Sequence, residues 1–422
     1  MKVLTRSICI ICAFILASCN NQTNDSNTPS LPIIVPIDSN NQKINELWSR
    51  TVEPYLAEDL WHENYNYDAS HVLMLPLYYT FILQADDEKK SQFHQFFQRY
   101  AANIDYRDAN LQRRLFFYFL TVNYLYWCDC NANPVLLEEI TNDAIAIWNE
   151  HPNTTWGHER FDSYKESITW KINGGQSGTV SYGKALFDAE LLLLALGSRL
   201  YSIYEENAHK DLIDISQTAQ EMILKLGRFN GQRWVFQPGV WFEYRDYAYA
   251  GHERVEAGLS PKLVRGIATD SSHIARMPLW LDAISNSENS TNVQDAARGF
   301  ALQFEELALK TADDDFTAPR LTNYIDGHNG IYRYSYESLE EYSGYGPYEL
   351  SGSLFNNWYA FTRSEKMKEE FRLLLDNFPL PPDVVKVYAG PTTNRTKHPL
   401  VVFPDYFENG FAELYIRIAI QM

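Results

Sequence analysis

The chain is expected to fold as an all-α protein, an (α/α)6-type helical toroid of six or seven hairpins. Three observations lead there. First, apolar segments of helical length recur with short polar breaks at 43–60, 71–84, 92–102, 111–127, 134–149, 184–205, 212–227, 272–285, 293–312, 350–361, 366–377 and 407–420. Paired by short turns, they give the hairpins of such a ring. Second, their spacing is helical: Leu186, Phe187, Glu190, Leu191, Leu194 and Leu200 form a stripe wide enough to be buried on more than one side. Third, no repeat appears at the roughly 34–47-residue periods of helical solenoids. Strand-like pieces are few: 233–247 with its Pro238-Gly239 turn, 330–336, and 384–389 with 400–405. In a toroid these would be long β-hairpin loops at the mouth of a central funnel.

The elements begin behind an export signal. Lys2 and Arg6 precede an apolar run, Ile8 to Leu16, too short to span a bilayer, and Leu16-Ala17-Ser18 ends at Cys19. This stretch resembles the bacterial lipobox. The resemblance implies a signal peptide at 1–18, lipidation of Cys19, and, with Asn20 following, an outer-membrane lipoprotein facing the periplasm or the surface. Residues 20–41, rich in Asn, Ser, Thr, Pro and Asp, read as a flexible tether. With no second linker in sight, 42–422 is expected to form one domain.

Charge narrows the partners. Loss of Lys2 and Arg6 with the signal takes the formal charge from −18 to −20. That disfavours nucleic acid and any membrane contact beyond the lipid anchor, but leaves an anionic substrate open if arginines gather in a cleft. Aromatic residues make up 14% of the chain, including 28 Tyr and 10 Trp. Such rings stack on sugar faces and also fill large cores. Cys128 and Cys130, at i, i+2 on an expected helix, read as two buried thiols. They supply too little for a metal site, and no cofactor is expected.

The chemistry gathers at two similar stretches, Asp68-Ala-Ser-His71-Val-Leu-Met-Leu-Pro76-Leu77 and Asp270-Ser-Ser-His273-Ile-Ala-Arg276-Met-Pro278-Leu279. Each reads as a loop-to-helix junction with Asp as N-cap and His in the first turn. Lying nearly half the chain apart, they are expected on opposite walls of one funnel. His273 and Arg276 share a helix face; a neutral His at a helix start suits a general base, and Arg276 can hold a carboxylate bidentately. Downstream, Arg320-Leu-Thr-Asn323-Tyr324-Ile-Asp326-Gly-His328-Asn329-Gly330-Ile-Tyr332-Arg333 is a loop dense in groups that bind or ionise. Two glycine-rich loops, around Trp170 and Asn173 and around Tyr345 and Tyr348, lack a phosphate-loop lysine. Residues 251–254 lack the spacing of a two-histidine zinc helix and read as structural. There is no Gly-x-Ser-x-Gly nucleophile elbow.

These motifs together resemble the toroid polysaccharide lyases, those acting on alginate and glucuronan in particular. The resemblance implies β-elimination on a uronate polymer without a metal. It makes His273 the neutraliser or base, Arg320 the carboxylate clamp and Tyr324 base and acid. Ser272 stands where some of these lyases have asparagine, and Asn173 is a candidate for the missing amide. His71, Trp170, Arg276, Asn323 and Tyr348 are the remaining substrate-binding candidates, while Tyr332, Tyr345 and Tyr348 are substitutes for the catalytic tyrosine. The expected partner is an anionic poly- or oligosaccharide, and the expected state a monomer. Two other classes stay open. One is a glycoside hydrolase with Asp68 and Asp270 as its carboxylate pair; the other is a non-catalytic glycan-binding lipoprotein.

Overall fold

Capping side chains set where several of the longer helices begin. In the computed structural model, which describes residues 37–128, 133–175, 180–285, 290–334, 344–391 and 398–422, Asp86, Asn110, Asn133, Ser163 and Ser364 each accept a backbone N–H three residues on. The helices they start are Asp87–Ala101, Leu111–Trp127, Pro134–Glu150, Tyr164–Ile172 and Glu365–Leu375. The protein is mostly helical, with three two-stranded antiparallel pairs among the described residues. None of the described helices is long and apolar enough to cross a membrane.

Two helices are buried nearly all round. Asp188–Tyr204 packs on Leu111–Trp127, Lys210–Leu226 and Met277–Ser285, and Leu192 to Leu196 have no exposed surface. Burying each such leucine contributes about 1.5–3 kcal/mol. A Cβ on Gly197 would stand 2.4 Å from Ile215 Cγ2, so the glycine permits the close approach of Lys210–Leu226. The first helix, Ile37–Arg50, lies against the last, Phe411–Ala419, where Arg417 Nη1 donates to Asn40 Oδ1 at 3.0 Å.

Several expectations are corrected here. Helix Ile37–Arg50 takes in the end of the segment read as tether, because Arg417 draws Asn40 into the fold. The rest of that segment, with the signal peptide and Cys19, lies outside the described residues. Tyr164–Ile172 is helical where a loop around Trp170 was expected. Residues 384–389 lie in a helix, Pro382–Ala389, not a strand: proline starts it and Val384, Val385 and Tyr388 share its buried face. Residues 400–404 form turns and a bend, and Asp405 begins helix Asp405–Glu408. Of 233–247 only Arg233–Phe236 is strand, paired with Gly227–Asn230. Cys128 is disulfide-bonded rather than a free thiol. Cys130 lies outside the described residues.

A second, smaller apolar cluster lies beside the main core. Trp241, Tyr247, Ile267, Tyr324, Tyr332 and Leu350 form it, flanked by Tyr244, Phe187 and Tyr345. The irregular stretches 237–272, 322–334 and 344–350 supply most of these residues. Backbone bonds Ser271 N to Asn323 O, 2.9 Å, and Ile325 N to Thr269 O, 3.2 Å, tie the two stretches together. Gly330 fits only because it has no Cβ, which would stand 1.7 Å from Ala250 O.

Candidate active site

Asp270 is the buried anchor of the site. Its carboxylate accepts from the backbone N–H of Ser272 and His273, from the Tyr247 hydroxyl at 2.6 Å, and from His273 Nδ1 at 2.9 Å. It therefore caps the turn that leads through Ile274–Arg276 into helix Met277–Ser285. Burial alone would raise its pKa. The opposing charge and hydrogen bond of His273, with the Tyr247 hydroxyl, outweigh burial and hold the carboxyl below its ordinary range.

An ionised carboxylate only accepts, so His273 Nδ1 carries the proton and Nε2 is the ring nitrogen left for a ligand. His273 stands in the wall of a cavity of about 860 Å³. The Tyr332 hydroxyl lies 3.3 Å from the same Nδ1. Since Nδ1 is itself a donor, the Tyr332 proton is not taken by His273. Tyr247 and Tyr324 flank the Tyr332 ring, at centroid distances of 5.5 and 6.2 Å. Burial pushes the Tyr332 phenol well above its usual pKa, against the opposing pull of Arg333. Tyr332 is thus a protonated phenol at neutral pH.

The larger cavity is aromatic and cationic along its walls. Trp156, Trp241, Tyr244 and Tyr67 line it together with Arg113, Arg245 and Arg333. The Arg333 guanidinium is held by Asp246 at 2.9 Å and lies 5.0 Å over the Tyr332 ring. A smaller cavity of about 180 Å³ adjoins it, sharing Tyr67, Asp68, Tyr332 and Arg333.

The other similar stretch reaches the same place by a different route. Arg276 Nε donates to His71 Nε2 at 3.0 Å, Nη1 reaches both Asp188 oxygens at 3.0 and 3.1 Å, and Nη2 donates to the Tyr67 hydroxyl at 2.5 Å. His71 Nε2 must therefore be the acceptor, and Nδ1–H donates to Tyr67 O at 2.7 Å. Burial, reinforced by the Arg276 charge, pushes the His71 pKa well below its ordinary value. His71 is a neutral strut.

The expected site is corrected at several points. The two stretches touch through His71 and Arg276 rather than facing each other from opposite walls. Asp68 lies within helix Asn66–Val72, whose N-cap is Tyr65, so it is not a cap. Arg276 lines the smaller cavity, but Asp188, His71 and Tyr67 already engage its guanidinium, so it is no ready carboxylate clamp. Arg320 pairs with Asp313 at 2.5 Å and lies over Phe316 and Tyr348, outside both cavity walls. Tyr324 is fully buried and donates to Ile331 O at 2.8 Å. Asn323 is buried too, bonding Gly330 O and Gly346 O at 2.9 and 2.8 Å. Asn173 accepts from Lys225 at 2.8 Å, and Trp170 packs on Phe161; both lie away from the cavities. Asp270, buried in its own cap, cannot act across open space with Asp68.

Sequence reading overlooked Tyr247, Asp188, Asp246 and the Trp156–Trp241–Tyr244 group. Only the aromatic density of 241–249 signals any of them. Among the described residues no cluster of three His, Cys, Asp or Glu side chains is placed to hold a metal ion. Comparison with known protein families, with curated protein sequences and with solved structures finds no match to this chain.

Proposed function

We propose that the protein is a lipid-anchored polysaccharide lyase that cleaves a uronate-containing glycan by β-elimination. The observation that carries this reading is the Asp270–His273–Tyr332 arrangement in the wall of an aromatic, arginine-lined cavity. His273 Nε2 takes the C5 proton of the uronate. The electron pair forms the C4–C5 double bond, the C4–O4 bond breaks, and Tyr332 delivers its proton to O4. His273 is thus the base and Tyr332 the acid, the division that their surroundings favour. Arg333 is placed to offset the uronate carboxylate, which acidifies C5–H; in a cleft of low effective dielectric such stabilisation is worth several kcal/mol.

A toroidal arrangement of the helices belongs to the same proposal. Support comes from sequence-adjacent helices that pack in pairs, such as Asp188–Tyr204 on Lys210–Leu226, and from the contact between the first and last helices. The anchor at Cys19 and an outer-membrane location complete it.

The test is ultraviolet absorbance of the unsaturated product during incubation with glucuronan, alginate, pectate and glycosaminoglycans. The expected rise disappears in His273→Ala and in Tyr332→Phe. A rise that survives both substitutions rejects the assignment. No rise, with saturable glycan binding, replaces the enzyme by a binder.

One observation favours a hydrolase instead. Glu349 lines the smaller cavity with Asp68, and burial raises its pKa, partly offset by the Gly346 N–H. That is the setting of a carboxylic general acid. New reducing ends without unsaturation, lost in Glu349→Gln, would establish it.

A further inference from the structure

We infer that Trp156 is a fixed stacking platform, a subsite for a uronate ring of the glycan chain beyond the one that reacts. The inference deepens the elimination reading and rests on it for the class of substrate. Of the ten tryptophans, eight are buried and Trp170 packs on Phe161, whereas Trp156 is 36% exposed and lines the larger cavity. An indole kept in water forgoes the hydrophobic gain that the buried ones make. Phe187, Trp241 and Tyr244 all meet it edge to face, with centroids 5.3, 6.3 and 5.1 Å away. Among the described residues no ring stacks parallel to it. The apolar C–H face of a pyranose is a partner of the right shape.

The fold holds this one exposed indole rigidly. Trp156 stands between the paired strands Asn153–Thr154 and Arg160–Phe161. Thr155 Oγ1 donates to Glu159 Oε2 at 2.5 Å and accepts from the N–H groups of Gly157 and Glu159. Gly157 packs on Gly183, where a Cβ would come within 3.1 Å of the Gly183 Cα. At the base of the hairpin, Asn153 donates to Glu190 Oε1 at 2.8 Å. Glu190 is fully buried with Lys171, whose Nζ reaches both carboxylate oxygens at 2.6 and 2.8 Å. Its other oxygen accepts from the N–H of Phe187, the ring that abuts Trp156. Desolvation offsets most of the attraction in such a buried pair, so its main contribution is fixed geometry. A platform ordered beforehand adds affinity because binding need not order it.

Position and charge define the occupant. Trp241 stacks on Tyr247 at 5.9 Å, and Tyr247 meets Tyr332 at 5.5 Å, so a row of rings runs along the cavity wall from Trp156 to the proposed acid. Two rings therefore intervene between the platform and the reacting sugar. Arg245 is bonded to the Tyr244 side chain and is 56% exposed, which lets the carboxylate of a ring stacked on Trp156 reach a cation. Binding energy gathered there, away from the bond that breaks, is available to orient the reacting uronate.

The experiment measures unsaturated product from glucuronan, alginate and pectate oligosaccharides of graded length, using the full protein and Trp156→Ala. The loss of kcat/KM should reach about tenfold on the longest chains and shrink toward the shortest. An equal loss at every length, or none, overturns the subsite. Should the variant not fold, oxidation of the unaltered protein by N-bromosuccinimide, located by mass spectrometry, decides in its place. The oligosaccharide should protect Trp156 and leave Trp170 as reactive as before. Unsaturated product without protection overturns the subsite and leaves elimination standing. Protection without unsaturated product keeps the subsite and overturns elimination. Neither protection nor product with any of the three overturns both.

Discussion

The stretches at 68–71 and 270–273 share an Asp, a Ser and a His at the same spacing, yet their histidines do opposite things. At 270–273 the carboxylate is buried beneath the imidazole, fixes its tautomer and leaves Nε2 to the cavity. At 68–71 the imidazole is held by other groups: His71 Nδ1 donates to Tyr67 O, Nε2 accepts from Arg276, and the ring is locked neutral. The residue that separates the two roles is Arg276, which belongs to the second stretch and acts on the first. A local motif therefore does not assign a role to a histidine. What approaches its two nitrogens does.

The largest expected contrast is between the histidines themselves. His273→Ala should lower elimination by about 10²–10⁴-fold, the usual worth of a positioned base. His71→Ala should mainly lower stability, because it leaves the buried Arg276 Nε unpaired at a cost of about 1–3 kcal/mol. Thermal denaturation beside product formation checks both; equal activity losses would erase the distinction drawn here.

The tyrosines sharpen the same contrast. Tyr332→Phe should cost roughly a hundredfold in kcat. Tyr324→Phe should leave catalysis within a few-fold and destabilise the fold by about 1–3 kcal/mol, since Ile331 O loses its buried donor. A hundredfold loss in Tyr324→Phe with normal stability would return the acid to that residue.

A smaller effect is expected in pH dependence. The folded-state pKa of His71 is depressed, so below the unfolded value of about 6.5 the unfolded chain binds the extra proton first. His71 therefore costs no stability above that pH and makes stability fall as pH drops below it. Denaturant midpoints between about pH 5 and 7 should fall less steeply with acid in His71→Gln. An unchanged slope would mean that His71 is not held neutral.

The smallest effect is expected at Arg320. Its partner Asp313 is half exposed, so Arg320→Met should change activity less than about twofold and stability by about 1 kcal/mol or less. A large rise in KM would place a substrate carboxylate there after all.

How far this was legible varies by region. Helix Leu111–Trp127 matches its segment at both ends, because Asn110 caps it and its residues are apolar almost throughout. Tyr164–Ile172 was hidden by the glycines that follow it, and Pro382–Ala389 by its run of valines. The Asp270–His273 turn could be read, since an Asp accepting N–H groups two and three residues on is a local event. The choice among Tyr324, Tyr332, Tyr345 and Tyr348 could not. Neighbours in one loop differ in burial only through what packs on them.

The sequence by itself determined the helical class, the start of a helix such as Leu111–Trp127 behind its Asn110 cap, and the Asp-capped turn that holds His273. Each rests on residues within a few positions of one another. The tertiary structure alone decided that Arg276 holds His71, that Arg320 turns to Asp313, and that Tyr332 rather than Tyr324 borders the cavities. Those outcomes depend on long-range packing and on which charge reaches a guanidinium first, and no local spacing encodes either.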